Sequence, residues 1–455
     1  MKTQILLGSL ASLVPYVLAL PLDASSFSEA DTIQRDVAII GGGSSGTHAA
    51  IKLKDAGSTV VVIEKDGELG GHVQTYTAAS GVRVNYGVSN FQNTSSVRDF
   101  FSRFDIPLVQ YVQPGSGDIY ADFKTGKELP SGTLPAPDFT GYLAEVNKYP
   151  WLESSWDLPD PIPEDLLLPF GKFVEKYNLQ DVAYTIAQFA VGNGNVFDQT
   201  TIYVLKSAPG PYIEGIVFGE GVAPATYDTH SLFEKALTEL GSDALLSSTV
   251  SSATRSDSGI ELVVKTPQGQ KLIKAKKLLV TAPPKLENMK PLGLDTKEEG
   301  IFSKFQSKAL YSALLDNTGL VTGNRYYNAK ADAGTTYHVP TLPALEFIWA
   351  TRDEDTYWAW YSSPTELSES DVKSDTINAF KALAPGSDPK IVAYASASPS
   401  TVGVTADEIR NGFYDDLKSL QGYKNTWYVG SAWVSDHSAA LWNFTEVELM
   451  PKLRA

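Results

Sequence analysis

Cysteine is absent from this chain of 455 residues, and its absence excludes several kinds of protein at the outset. Without cysteine there is no disulfide framework, no cysteine-ligated iron–sulfur cluster and no thiol nucleophile. The length allows a large hydrophobic core, and 43% of the residues are apolar, as in ordinary globular proteins. Stability must therefore come from that core and from whatever the folded chain binds.

Positive charge and histidine are also scarce. The 37 lysines and arginines are outnumbered by 53 aspartates and glutamates, which gives a formal net charge of −16. Nucleic acid and anionic membrane surfaces are therefore poor partners for this chain. The five histidines, at positions 48, 72, 230, 338 and 437, do not have the spacing typical of a metal site, and we predict none.

Long apolar runs are missing except at the start of the chain. Residues 1–19 combine a lysine at position 2, an apolar stretch and small residues before a cleavage point. The stretch contains a proline and is short for a membrane span, so it predicts a secretory signal peptide. We expect a soluble, secreted protein that starts near Leu20. Asn93 and Asn443 lie in sequons and are candidate N-glycosylation sites, although either can be unused.

Glycine, by contrast, is plentiful, and it clusters where an apolar run ends. The β-branched run at residues 37–40 is too short for a helix and predicts a buried parallel strand. The next six residues, GGGSSG, fit G-x-G-x-x-G. Gly41 permits a tight turn, Gly43 lets a pyrophosphate approach the backbone, and Gly46 lets the next helix lie close to the strand. That helix, predicted to run to about residue 56, directs its N-terminus at the phosphates.

A second predicted strand, at residues 59–63, ends in Glu64. An acid about 20 residues after the glycines typically bonds a ribose hydroxyl. It also disfavours the 2′-phosphate of NADP. Strand, glycines, helix, second strand and acid occur in order, so the chain predicts a dinucleotide-binding unit rather than an unliganded glycine-rich turn. This motif alone does not separate NAD from FAD.

Two further glycines allow FAD to be distinguished from NAD as the predicted cofactor. Gly70 and Gly71 begin six positions past Glu64, and Thr75 follows. This pattern resembles the E-x5-G-G-R-x-x-T motif of the flavin amine-oxidase superfamily, whose glycine doublet packs a second backbone turn against the FAD phosphates. His72 stands where that family usually has arginine, so a permanent charge and a forked donor are missing. The resemblance implies FAD. Within the superfamily, the GGH doublet and the signal peptide are similar to secreted fungal flavoproteins resembling β-cyclopiazonate dehydrogenase.

The same resemblance implies further cofactor contacts. Residues 80–91 resemble the segment that passes beside the flavin ring, with Gly87 and Val88 as candidates; the alternative is an ordinary turn. Val250 matches a strand valine whose backbone contacts the adenine. Gly430 and Ser431 match the end of the last strand, beside the ribityl chain, with serine in place of the usual acid. The helix predicted at residues 438–453 aims its N–H groups at the pyrimidine edge of the ring.

Lys308 is the candidate catalytic residue. Many members of the superfamily hold a lysine near flavin N5 through a water molecule, and Lys308 matches by position; the alternative is a solvated lysine on a strand. His437 is a further candidate for a place beside the flavin. The predicted cofactor-binding residues are Gly41, Gly43, Ser45, Gly46, Glu64, Lys65, Gly70, Gly71, His72, Gly87, Val88, Val250, Gly430 and Ser431.

We predict an α/β fold in which a Rossmann-like FAD-binding domain with a β-meander is joined to a discontinuous α+β substrate domain. The FAD-binding domain is predicted at residues 34–92, 225–292 and 405–455, and the substrate domain at residues 93–224 and 293–404. Within the latter, residues 96–112 predict a helix that Pro107 bends or ends. Residues 345–362 predict two aromatic strands, whose rings pack in a core or face a substrate.

Three functions remain open for such a chain. The first is an oxidase or dehydrogenase that passes a hydride from an amine or alkaloid-like substrate to flavin N5, with oxygen or another acceptor reoxidising the ring. The second is a redox-neutral isomerase of double bonds in a fatty-acid-like substrate. The third is a flavin-binding protein without catalysis. The resemblance favours the first.

Overall fold

The computed structural model describes residues 27–332, 334 and 337–454. The predicted signal peptide and its cleavage point lie outside these residues. Among the helices described, none has both the length and the apolar composition that crossing a membrane requires.

Strands form two large sheets and several two-stranded pairs. In the described residues the strands are β1 (Thr32–Ile40), β2 (Val60–Ile63), β3 (Thr75–Thr77), β4 (Arg83–Asn85), β5 (Leu108–Gln110), β6 (Gly117–Asp122), β7 (Lys127–Glu128), β8 (Val222–Pro224), β9 (Ala244–Leu245), β10 (Thr249–Ser256), β11 (Gly259–Thr266), β12 (Gly269–Val280), β13 (Gln306–Ser307), β14 (Ala309–Asp316), β15 (Asn324–Asn328), β16 (Ala344–Ala350), β17 (Tyr357–Ser363), β18 (Lys390–Ser396), β19 (Val402–Gly403) and β20 (Thr426–Tyr428).

Helices fill the connections between strands. The α-helices of the described residues are α1 (Ser44–Asp55), α2 (Ser95–Ser102), α3 (Thr140–Val146), α4 (Phe170–Tyr177), α5 (Gln180–Phe189), α6 (Thr201–Ser207), α7 (Gly210–Val217), α8 (Ser231–Leu240), α9 (Leu286–Met289), α10 (Thr296–Phe302), α11 (Glu369–Leu383), α12 (Ala406–Arg410), α13 (Phe413–Lys418), α14 (Ser438–Phe444) and α15 (Met450–Leu453). A π-helical turn at Thr445–Leu449 joins α14 to α15, so the helix predicted at the end of the chain is confirmed.

The first large sheet carries the glycine motif. β1 pairs in parallel with β2 on one side and with β12 on the other, β9 continues from β2, and β20 pairs in parallel with the end of β12. The antiparallel strands β10, β11 and β12 form the predicted meander. Val37, Ala38 and Ile39 are fully buried, as expected for a parallel strand in the middle of a covered sheet. The Rossmann-like unit is thereby confirmed.

The second large sheet has the strand order β18–β14–β17–β16–β15–β6–β7 and is antiparallel except between β15 and β6. One face packs against α11 through Val372 and Phe380. The opposite face carries the rings of Trp349, Trp358 and Trp360 and packs against the hairpin β3–β4. That hairpin directly follows the glycine doublet, so the second sheet lies next to the dinucleotide unit.

The strands are distributed as the discontinuous architecture requires. Those of the first sheet fall in the three segments predicted for the FAD-binding domain, except for the first two residues of β1. Those of the second sheet fall in the two segments predicted for the substrate domain. The two-part fold is confirmed, whereas the boundary residues themselves stay a prediction.

One helix prediction was wrong in its extent. The helix expected at residues 96–112 ends at Ser102, and residues 108–110 form β5 instead. Pro107 cannot continue a helix, and Asp105 before it takes a positive φ of 52°, which reverses the chain. The apolar spacing that suggested a longer helix belongs to two different elements.

Candidate functional site

The glycine motif forms the turn between β1 and α1. Gly41 has a φ of 99°, which residues with side chains rarely adopt, and a Cβ there would overlap Thr281 Oγ1. A Cβ on Gly46 would overlap the carbonyl oxygen of Gly41, so α1 begins in contact with the end of β1. The first intrahelical bond runs from the Thr47 N–H to the Gly43 oxygen at 3.0 Å. The N–H groups of residues 44–46, in the first turn of α1, therefore have no partner within the helix and can bind an anion.

The glycine doublet lies opposite this turn. The Gly70 N–H donates to the carbonyl oxygen of Gly42 at 2.9 Å, and Gly70 forms an isolated parallel bridge with Gly43. A Cβ on Gly43 would lie 3.8 Å from Gly71 Cα, and a Cβ on Gly71 would lie 3.1 Å from Gly43 Cα. Two backbone turns thus meet with no side chain between them. We call this arrangement, residues 41–46 with Gly70 and Gly71, the glycine cradle; it suits a pyrophosphate.

Glu64 closes the cradle at the end of β2, with 6% of its surface exposed. Its Oε2 accepts the Gly42 N–H at 2.6 Å and its Oε1 accepts the Asp66 N–H at 2.8 Å. Each carboxylate oxygen retains a lone pair, so the group can still accept a ribose hydroxyl. Ser45 is buried in the same turn, whereas Lys65 is exposed and pairs with Asp66 at 2.8 Å.

Val250 lies near Glu64 in space. The Ser248 N–H donates to the Glu64 carbonyl oxygen at 2.7 Å, and Val250 follows two residues later at an irregularity in the pairing of β10 with β11. The fold therefore brings the two residues predicted to contact adenosine to one end of the first sheet. The adenosine contact itself stays a prediction.

His72 runs alongside the segment predicted to pass the flavin ring. Its carbonyl oxygen accepts the Val88 N–H at 3.0 Å, and a Cβ on Gly87 would overlap that oxygen. The His72 side chain is exposed, yet desolvation by the surrounding protein lowers its pKa, and the charge of Lys65 adds to this. Gly87 and Val88 therefore lie directly beside the His72 backbone, and their contact with the flavin ring stays a prediction.

The last strand and helix reach the cradle from the other side. Gly430 has a φ of 148° and lies against Thr281, since a Cβ on it would be 3.6 Å from the Thr281 carbonyl oxygen; Ser431 follows, half-buried. The hydroxyl of Ser438, the first residue of α14, is 2.9 Å from that of Ser44, the first residue of α1. Two helix N-termini, each with a positive dipole end, therefore lie side by side.

None of the contacts described for Lys308 is with a residue of the glycine cradle or of the two helix N-termini. Its backbone bonds to Thr401 and Ser400, and its side chain packs against Gly194, where a Cβ would be 3.0 Å from Lys308 Cδ. Its catalytic role stays a prediction. His437 is closer to the site, because it precedes α14; its Nε2 is 3.2 Å from the Ser207 carbonyl oxygen.

Two features of the site were not predicted. Thr281 Oγ1 donates to the carbonyl oxygens of Ile40 or Gly41, at 3.1 and 3.2 Å, and so supports the turn. The sequence did contain a signal for Thr281, because a polar residue ends the buried run of β12. The pair formed by Ser44 and Ser438 had no local signal, since the two serines are 394 residues apart.

The comparisons with known proteins agree with this geometry. A family model for an NAD(P)-binding Rossmann-like domain matches residues 39–104. The FAD-dependent oxidoreductase pigF of Monascus ruber is 41% identical over 453 residues, which cover 96% of each chain. The beta-cyclopiazonate dehydrogenase of Aspergillus flavus is 36% identical over 439 residues, covering 93% of this chain and 94% of that protein.

Solved structures share the fold at low sequence identity. A fatty acid isomerase from P. acnes superposes with a TM-score of 0.71 at 16% identity and covers 91% of this chain and 99% of its own. Putrescine oxidase bound to putrescine superposes with a TM-score of 0.63 at 16% identity, with coverages of 90% and 97%. These likenesses concern the fold alone.

The cradle, the closing carboxylate and the paired helix N-termini fit FAD, and together with the relatives they define the class: an FAD-dependent oxidoreductase with an amine-oxidase-like fold. More particularly, the chain belongs to the family of fungal FAD-dependent oxidoreductases that includes β-cyclopiazonate dehydrogenase. The predictions of FAD as cofactor and of an enzyme are confirmed.

Proposed function

We propose that this oxidoreductase takes a hydride from a C–N or C–C carbon of a small amine or alkaloid-like substrate. FAD, when bound, would supply the hydride acceptor at flavin N5, and oxygen or another acceptor would take up the electrons. Two comparisons support the proposal: a relative is named a dehydrogenase, and a solved structure of this fold is an oxidase bound to the amine putrescine.

The observation that carries the proposal is an aromatic surface next to the glycine cradle. The Trp358 indole N–H donates to Ser312 Oγ at 2.7 Å, and the Ser312 hydroxyl donates to the Tyr86 carbonyl oxygen. Tyr86 directly precedes Gly87, the residue predicted to pass the flavin ring. An apolar wall beside that segment suits a hydride transfer, since excluding water strengthens the electrostatic interactions of the site and prevents hydrolysis of the oxidised product.

The chain's own residues have separate tasks in this scheme. N–H groups at the start of α1 would bind the pyrophosphate, and Glu64 would hold the ribose. The N-terminus of α14 would direct its positive dipole end toward the pyrimidine edge of a bound ring, where negative charge would develop on reduction. We retain Lys308 as the proposed residue near N5.

Anaerobic mixing of the FAD-loaded protein with a panel of amines and nitrogen heterocycles tests the proposal. We expect at least one compound to bleach the flavin absorbance, which air then restores with formation of peroxide or with the help of an added acceptor. Turnover of an unsaturated fatty acid without net bleaching and without an acceptor would instead establish the isomerase. Failure of the whole panel to change the flavin spectrum, together with no turnover of the fatty acid, would contradict both.

We also propose that the protein is secreted and glycosylated. Residues 1–19 support secretion by their composition. Asn93 and Asn443 are both exposed, but the hydroxyl of Thr445, in the second sequon, is buried and bonded to the Leu441 carbonyl oxygen. Expression in a fungal host should release a protein starting near Leu20, and glycosidase should change its mobility unless Asn93 and Asn443 are both replaced by glutamine.

A further inference from the structure

Glu346 is a buried carboxyl group without an adequate partner. It lies in β16 with 3% of its surface exposed, and its Oε2 has no hydrogen-bond partner among the residues that the structure describes. The hydroxyl of Ser362 is near enough to favour the charged carboxylate, but it does not complete a hydrogen bond. Burial of an unpaired carboxyl is costly, and such groups are rare unless a ligand or a reaction uses them.

A bulge in β16 turns this carboxyl toward the aromatic face of the second sheet. Leu345 pairs with Tyr361 and Phe347 with Trp360, so Glu346 is an extra residue between two regular pairs. Leu345 and Tyr361 pack on the α11 face. Ser362 follows Trp360 by two residues and therefore shares its face, opposite to α11. Glu346, which approaches Ser362, points to that same face.

The aromatic face forms a continuous wall. Phe347 stacks on Trp349 with ring centroids 4.2 Å apart, Trp360 lies 5.9 Å from Phe347, and Trp358 lies 5.1 Å from Trp360. Trp358 is the residue joined through Ser312 to the segment predicted to pass the flavin. One wall thus extends from that segment to Glu346.

Helix α5 covers the far end of this wall. The Tyr184 hydroxyl donates to the Asn328 carbonyl oxygen at 2.9 Å, which places this side of α5 against β15. Gln188 follows one turn later on the same side, and its Oε1 is buried without a partner in the described part of the chain. The indole N–H of Trp360 is likewise buried and unpaired there. Tyr184 lies within range of the Glu346 charge. The side of α5 that carries Gln188 and the strand that carries Trp360 therefore both adjoin the end of the wall at Glu346.

We infer that Glu346 and Gln188 form the polar end of the substrate site and bind a basic nitrogen of a planar, nitrogen-containing substrate. This inference rests on the proposed function for the identity of the ligand as the substrate. A cation is the partner that lets a buried carboxyl ionise, and aromatic faces such as those of Trp349 and Trp360 attract cations. The unpaired Trp360 N–H would bond an oxygen of the same substrate.

The protonation of Glu346 gives this binding a measurable signature. Burial raises the pKa of its carboxyl to about 8, so at neutral pH the free protein holds the proton. A bound ammonium group would favour the carboxylate and expel that proton. Tyr184 is the titratable neighbour that feels this charge, and burial raises the Tyr184 pKa well above its ordinary value, so tyrosine does not exchange protons in this range.

Calorimetry with the FAD-loaded protein tests the inference, using 2-phenylethylamine and its uncharged analogue 2-phenylethanol as probes. Titration at neutral pH in two buffers of different ionisation enthalpy counts released protons. We expect the amine to bind about tenfold more tightly or better, with release of about one proton, and the alcohol to release none. Glu346→Gln should lose both the preference and the release. The exposed Glu354→Gln, in the turn between β16 and β17, should retain them.

Equal affinity for the two probes, binding of the amine without proton release, or an unchanged preference in Glu346→Gln would each overturn the inference. Undetectable binding of the amine up to its solubility limit would also count against it. Should Glu346→Gln fail to fold, the proton count on the wild-type protein still decides. If the amine bound with proton release but no compound bleached the flavin, the binding site at Glu346 would be supported and the proposed oxidation would be contradicted. If nitrogen-free substrates bleached the flavin and the KM of Glu346→Gln were unchanged, the oxidation would be supported and the binding site would be contradicted.

Discussion

Gly43 and Gly71 face each other so closely that the atoms of a side chain on either would enter the space between the two backbone turns. At the residue scale, the site depends on glycines, which have no side chain, and on one carboxylate. Glu64 accepts two backbone N–H groups, one from Gly42 and one from Asp66, and thereby holds both sides of the turn in place. The same group would hold the ribose, so it is oriented before the cofactor binds.

We expect Gly43→Glu to yield colourless protein. The new side chain would fill the cradle, and its negative charge would repel the pyrophosphate at the position where helix α1 should attract it. The ratio of flavin absorbance to protein absorbance after purification measures the effect, and we expect it to fall by about tenfold or more.

Gly300→Glu is the matched control, because Gly300 is exposed in α10 with no atom within 4 Å of its Cβ position. It should retain full flavin content. Normal flavin content in Gly43→Glu would show that the phosphates do not lie in this cradle.

At the scale of elements, the site depends on the pairing of α1 with α14. The Trp442 indole N–H donates to the carbonyl oxygen or the hydroxyl of Ser44, at 3.2 and 3.1 Å, and its ring stacks on His48 at 5.3 Å. Burial lowers the pKa of His48, which therefore stays neutral and donates from Nε2 to Glu446 in the π-helical turn at 3.1 Å. These contacts keep the two helix N-termini in register.

We expect Trp442→Phe to lower the free energy of unfolding by about 1–3 kcal/mol, since a buried hydrogen bond and part of a packed ring are lost. Flavin retention should fall as well, because Ser44 begins the helix that is predicted to bind the phosphates. Urea unfolding followed by fluorescence, together with flavin release on dilution, measures both effects.

Trp151→Phe serves as the control, because Trp151 is only half-buried and lies outside both helices. Trp151→Phe should change the free energy of unfolding by no more than about 0.5 kcal/mol and should leave flavin release unchanged. A Trp442→Phe protein that is less stable but retains FAD normally would separate helix pairing from cofactor binding.

At the scale of the whole molecule, a carboxyl group buried on the second sheet makes stability depend on pH. Burial raises the pKa of Glu346 from 4.5 to about 8. Below pH 4.5 both the folded and the unfolded chain bind this proton. Between the two values only the folded chain keeps it, so the contribution of Glu346 to stability is fully present in acid and is lost as the pH rises toward 8.

We expect the unfolding free energy of the wild-type protein, relative to Glu346→Gln, to fall by roughly 2–5 kcal/mol between pH 4.5 and 8. Taking the difference removes the contributions of other titrating groups, such as His48. Urea unfolding of both FAD-loaded proteins over this range provides the measurement. Parallel stability curves would show that the carboxyl ionises normally.

The dinucleotide-binding unit was predictable because its parts are contiguous. Residues 37–71 contain a strand, a glycine turn, a helix, a second strand and an acid in order, and each is specified by neighbours in the chain. The same holds for the aromatic hairpin of β16 and β17. The wrong extent of the helix before Pro107 has a similar origin, since apolar spacing alone does not locate the end of an element.

The sequence by itself determined the cofactor class, the cradle and the order of the elements, because short-range backbone geometry and glycine placement suffice for these. Only the tertiary structure decided that Ser44 meets Ser438 and that Glu346 lies close to Ser362 and Tyr184. An acid within the apolar run of β16 was visible in the sequence, but the face to which it points depends on a bulge in strand pairing. Strand register and helix packing are set by contacts between distant segments, which no local pattern records.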